Sequence, residues 1–194
     1  LLIKQKFTDQ YQAAILSYQI NDTVRATRNI NVKARGNIRK KVCFYPPLKI
    51  NLAKNEVFWE QLKEYDKIKL VVECRSSKWA RENLLSEYYA YKLYNLITEY
   101  SFRVRLLEVS YQDTSGKLNP NNGYAFFIED ADLLADRNNA VKISLKNIED
   151  QATDHQNLAN LYVFQYLLGN TDWSIIGDHN IEFIKDNDPF KSVI

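Results

Sequence analysis

Hydrophobic and polar residues change period along the chain. Residues 11–20, "YQAAILSYQI", and 23–35, "TVRATRNINVKAR", are rich in β-branched and aromatic residues, and the second alternates as a half-exposed strand does. Asn21 and Asp22 between them are turn formers, and Gly36-Asn37 ends the second segment. "PPLKINLA" (46–53) predicts a third strand, entered through two prolines that cannot sit inside a ladder. "DKIKLVVEC" (66–74) predicts a fourth, with Ile68, Leu70 and Val72 on one face and Lys67, Lys69 and Val71 on the other.

The period then lengthens. In 78–99, Leu84, Leu85, Tyr88, Tyr91, Leu93 and Leu96 recur at helical spacing, no Gly or Pro intervenes, and Ser76 or Ser77 can cap the start. Strands return at 103–113 and 123–130, joined by the polar hairpin loop 114–123. After Asp130 the texture changes. Residues 130–139 predict a short helix, 145–156 a polar loop, and 157–168, "NLANLYVFQYLL", a second long helix. Gly169 suits its C-cap; a polar loop and the strand-like "IEFI" follow. Strands, one long helix and two more strands, followed by a helical segment, predict an α+β fold. The expected division is 1–130 as a β-rich lobe and 131–194 as the helical start of a second.

Composition narrows the partners. A 194-residue chain fits one domain or one two-lobed unit. The net charge of +2 argues against a dedicated nucleic-acid binder. No apolar run approaches the roughly 18 residues of a membrane helix. The chain starts at Leu1 and contains no Met, so it reads as a fragment or processed product, with room for a signal peptide upstream. Cys43 and Cys74 have no metal spacing; they are either two small buried hydrophobes or one disulfide of an exported protein.

Candidate chemistry collects in four places. Phosphoryl transfer needs a carboxylate near the attacking hydroxyl and oxygen ligands for Mg²⁺. Asp172 and Asn180, on a polar loop after a helix, provide that pair; the plain alternative is a surface loop with Asn and Asp as turn formers. A nucleotide site needs a strand Lys held by a Glu of the next helix, and Lys69 and Glu87 occur in that order. "ARGNIRKK" offers Arg35 and Arg39 around a turn that can approach phosphates, although it is not a glycine-rich loop, and Lys49 is a further phosphate candidate. Arg103 and Arg105 read as structural ion-pair partners, and His179 as a brace within the loop.

Together these segments resemble a known group. "RGNIRKKVCFYPPLKINL", "IKLVVEC", "GYAFFIED" and "FQYLLGNTDWSIIGDHNIEFI" resemble a group of exported Bacteroidetes proteins similar to the spore coat protein H (CotH) kinase-like family, and more distantly to HipA-type kinases. "GNTDW" followed by "HN" is the most specific motif. The resemblance implies an atypical kinase fold of two lobes, ATP with Mg²⁺ or Mn²⁺, and transfer to a protein or small-molecule hydroxyl. It implies Asp172 as catalytic, Asn180 as metal ligand, Lys69 as phosphate-binding and Glu87 as its partner, with adenine near Phe127–Glu129. Two departures stand: the phosphate loop lacks glycines, and the family's second metal Asp does not appear before Ile194, since Asp186 and Asp188 do not match it. The chain therefore reads as truncated and, by itself, inactive. The alternative is a pseudokinase or a cell-envelope interaction module of the same fold.

Overall fold

The computed structural model describes residues 2–19, 22–52, 66–144, 153–187 and 193. The expected turn residue Asn21, most of the polar loop (145–152) and Asp188 lie outside the described residues. The chain is α+β and divides into two compact units, residues 1–88 with 104–128, and residues 89–103 with 129–194. The chain passes between the units three times, and the expected boundary at 130/131 lies near the last crossing; residues 89–103 group with the second unit.

The first unit is built on a six-stranded antiparallel sheet. Its strands are β1 (Gln12–Gln19), β2 (Arg25–Ala34), β3 (Leu48–Leu52), β4 (Lys67–Val72), β5 (Val104–Tyr111) and β6 (Asn121–Ile128). They lie in the order β1-β2-β3-β4-β6-β5. The first four form a meander, and β6 then inserts beside β4, leaving β5 at the edge. Alternation sorts the side chains. Ile30, Val32, Leu48, Ile50, Leu52, Ile68, Leu70, Val72 and Ala125 make one continuous buried face. Val71 and Phe126, paired in register, point to the other side.

The long helix α2 (Lys78–Tyr94) covers the Val71–Phe126 region. Ala80 and Leu84 are buried, and the Tyr88 ring lies 5.9 Å from that of Phe126. The Ser77 hydroxyl accepts from the Ala80 N–H at 3.2 Å, which caps the start. The α-helix ends at Tyr94 rather than near 99. Past Asn95 the bonds tighten to Leu96 N–H→Leu93 O and Ile97 N–H→Tyr94 O, and the Asn95 side chain is drawn off to Ser101 Oγ and Phe102 O. Asn and β-branched Ile and Thr are weak helix formers, and this side-chain competition ends the run.

Where the sequence predicts a basic turn, the structure has a short helix, α1 (Ile38–Val42). The Cys43–Cys74 disulfide ties its end to the end of β4, the two Cα atoms 4.7 Å apart.

The second unit holds α3 (Ala131–Arg137), β7 (Ala140–Ile143), α4 (His155–Leu167) and β8 (Phe183–Asp186), with β7 and β8 paired antiparallel. The Asp130 and Asp154 side chains cap α3 and α4 by accepting from Asp132 and Asn157 N–H, so α4 starts two residues earlier than the periodicity predicts. β7, four residues long, is too short to leave a clear period in the sequence. Ile175, Phe183 and Val193 form a core patch with Leu158, Trp173 and Ile181 packed against it.

Candidate functional site

The loop after α4 is built in three steps. First, the helix stops. Gly169 adopts φ +62°, its N–H reaches Tyr166 O and the Asn170 N–H reaches Gln165 O, each at 3.0 Å. This paired capping requires a left-handed residue, which glycine adopts without strain. Second, the Asn170 side-chain oxygen accepts from the Asp172 N–H at 3.0 Å, turning the chain. Third, a small hairpin closes. Ser174 and His179 exchange both backbone hydrogen bonds at 3.0 Å, and the Ser174 hydroxyl accepts from the Gly177 N–H.

This hairpin brings Asp172 beside His179 and Asn180. His179 Nε2 lies 3.0 Å from Asp172 Oδ1. Asn180 Nδ2 lies 3.2 Å from the same Nε2; a hydrogen bond to the carboxylate requires the tautomer with its proton on Nε2. Asn180 Nδ2 donates to Asp172 O at 2.6 Å and to Asp172 Oδ2 at 3.0 Å. Both carboxylate oxygens are thus held. The flanking residues are anchored: Trp173 and Ile181 pack on the Ile175–Phe183 patch, and the Trp173 ring meets that of Tyr162 at 5.0 Å. The Asp172 side chain nevertheless stays 79% exposed. An aimed, braced and open carboxylate can accept or orient a hydroxyl proton. Asn180 itself sits at φ +56°, a conformation Asn tolerates better than most residues.

The other expected residues belong to other elements. Lys69 sits half-buried on β4, directly opposite Lys49 of β3. Glu87 lies on α2 within the first unit, and its ion pair is with Arg39 rather than with Lys69 as expected. Arg39 Nη1 is 3.3 Å from Glu87 Oε2, and its Nη2 reaches Val72 O. The physical reason is proximity: the disulfide draws α1, which carries Arg39, to the end of β4. Arg35 is half-buried, with its N–H on Pro47 O at 2.8 Å, and Gly36 follows at φ +81°.

Glu129 has a different environment from that of a free binding group. Its carboxylate accepts from Arg137 Nε at 2.8 Å, Arg137 Nη2 at 3.1 Å and the Arg103 N–H at 2.9 Å. The sequence gives no pointer to Arg137, because one Arg in a short helix carries no signal. The same holds for Glu73, which is buried after β4, where its Oε1 accepts from the Tyr124 N–H and from Arg81 Nε.

Among the described residues no group of three His, Cys, Asp or Glu side chains is placed to hold a metal ion. A metal here would rely on the Asn180 side-chain oxygen, which is left over once Nδ2 is spent on Asp172, and on ligand oxygens. Mg²⁺ usually takes one or two carboxylates from a protein, so with one amide oxygen the rest of its shell would have to be waters and phosphate oxygens. No described helix is long and apolar enough to cross a membrane. Comparison of the chain with protein-family models, curated proteins and solved structures finds no match.

Proposed function

We propose that the chain carries working parts of an atypical, CotH-like phosphotransferase that moves the ATP γ-phosphate to a hydroxyl of a protein or small molecule. The observation that carries this reading is the Asp172 carboxylate, locked by His179 and Asn180 yet open to solvent, on a loop directly after a helix. Asp172 orients the acceptor hydroxyl and takes its proton. Asn180 holds Asp172 through Nδ2 and offers its oxygen to Mg²⁺ or Mn²⁺. The bound metal would supply charge neutralisation on the phosphates. Lys69, Lys49 and Arg35, all in the first unit, are the basic side chains suited to phosphate oxygens. The order of the first unit supports the reading: a strand with Lys69, then a long helix with Glu87, then a hairpin that returns beside that strand.

The Cys43–Cys74 disulfide supports an oxidising compartment, so we place the protein outside the cytoplasm. One observation favours a second reading, a non-catalytic module of the same fold. Glu87 is committed to Arg39, whereas an active nucleotide site spends the helix glutamate on the strand lysine.

The test is thermal shift with ATP and Mg²⁺ or Mn²⁺, then γ-phosphate transfer, on the full-length gene product and its Asp172→Ala variant. Stabilisation requiring nucleotide and metal together, with transfer lost in Asp172→Ala, is the expected outcome. Nucleotide binding with no transfer by wild type would favour the non-catalytic module. Transfer that survives Asp172→Ala would refute the assignment of Asp172.

A further inference from the structure

The polar side of the sheet has an unusual charge pattern. Register places Lys33 of β2 opposite Lys49 of β3, and Lys49 opposite Lys69 of β4. The next polar row is Asn31, Asn51 and Lys67. Over three adjacent strands these six positions hold no acid. Neighbouring strands are about 4.8 Å apart, so three ammonium-bearing side chains rise within about 10 Å of one another. Like charges directly opposite each other destabilise a sheet. Lys69 has an interaction of its own, so it is Lys33 and Lys49 that call for a counter-anion.

One comes from outside the sheet. The Asp9 carboxylate lies 2.9 Å from Lys33 Nζ, and Lys33 also sits over the Tyr11 ring at 5.1 Å. Lys33, Lys40 of α1 and Lys49 all act on Asp9 to hold its carboxyl below the usual range, the Lys33 hydrogen bond most strongly. Only Lys33 is in contact with this carboxylate; the other two lysines act on it at longer range. Lys49 makes no ion pair of its own among the described residues. The Asp9 side chain is 80% exposed, and an exposed pair of this kind is weak and replaceable.

We propose that Lys33 and Lys49 form a phosphoanion site in which Asp9 stands as a displaceable internal competitor. The ligand is a short, multiply charged phosphate chain, either free or as the phosphate tail of a nucleotide. The near-neutral chain, at net +2, makes the basic density local and suited to a small anion rather than an extended one. Removing Asp9 removes the competing charge and one repulsive contact to the ligand.

Isothermal titration of the whole chain with sodium tripolyphosphate, and separately with ATP with and without Mg²⁺, tests this. The proteins are wild type, Asp9→Asn and Lys49→Gln, each checked for an unchanged melting curve. Tripolyphosphate is expected to bind about fivefold tighter to Asp9→Asn, the size of one unit charge near 4 Å in water. Lys49→Gln is expected to weaken it by a similar factor, and added salt to weaken it further. Equal affinity of wild type and Asp9→Asn overturns the proposal, as does binding unaffected by Lys49→Gln or absent at millimolar ligand. If ATP follows tripolyphosphate, the anion is a nucleotide tail. If tripolyphosphate responds and ATP with Mg²⁺ does not bind, the site stands and the phosphotransferase reading fails. ATP binding indifferent to Asp9→Asn, without a tripolyphosphate response, overturns the site and leaves the phosphotransferase reading standing.

Discussion

Replacing Arg137 with alanine isolates the clamp at Glu129. Arg137 is 15% exposed and Glu129 5% exposed, so little water can take over for a lost partner. The guanidinium makes four hydrogen bonds: two to the Glu129 carboxylate, one to Glu99 O at 2.7 Å and one to Ser101 O at 2.6 Å. Arg137→Ala removes them all and leaves a buried carboxylate with the Arg103 N–H as its donor. Breaking a buried pair from one side costs roughly 3–5 kcal/mol. For a chain of 194 residues, that corresponds to a fall in melting temperature of roughly 6–20 °C. Circular dichroism melts and urea titrations measure it. The double variant Arg137→Met/Glu129→Leu should recover more than half of the loss, because it removes the uncompensated charge as well. A fall of under 3 °C in Arg137→Ala would refute the reasoning. It would mean that Glu129 is hydrated and held loosely, as a binding residue rather than a strut.

Three further outcomes follow from the geometry. The Cys43–Cys74 disulfide spans 31 residues, and loop entropy predicts that Cys43→Ser/Cys74→Ser lowers stability by about 3.5 kcal/mol; a urea-derived loss below 1 kcal/mol would contradict that. The Ser115 hydroxyl, then the Ser115, Lys117 and Leu118 N–H groups, hold the Asp113 carboxyl down to about 2 from its ordinary 3.8. A depressed folded value gives stability that is present above the unfolded value and lost as pH falls from about 4 towards 2. Asp113→Ala should therefore lower the melting temperature at pH 6 and match wild type near pH 2; an equal gap at both would count against the network. In Gly123→Ala the new Cβ would meet Glu73 Oε1 at 3.0 Å and Cδ at 3.1 Å, against a side chain fixed by Arg81 and the Tyr124 N–H. About 1–3 kcal/mol of destabilisation is expected from this overpacking, read by the same titration, and a neutral result would show that Glu73 can give way.

Local chemistry determined much of this chain from its sequence alone. Period-two alternation in 24–35 and 66–74 sets which residues become core, because successive side chains in a strand must point to opposite faces. Ser77 and Gly169 mark helix ends through hydrogen bonds made within a few residues. The polar loop carrying Asp172 and Asn180 is legible for the same reason: its punctuation is local, and its two anchors, Trp173 and Ile181, are apolar residues directly following the site residues.

Only the tertiary structure decided the partners. Sequence order pairs Lys69 with Glu87, yet Arg39, 48 residues before Glu87, takes the glutamate because α1 is drawn to the end of β4. Glu129 is a strut because Arg137 returns from α3 to meet it. The sheet order, with β6 beside β4 and β5 outside, follows from pairing strands far apart in sequence. The lysine row exists because register across three strands aligns Lys33, Lys49 and Lys69. Each of these depends on contacts between distant segments, and side-chain period and capping chemistry carry no information about which distant segment will arrive.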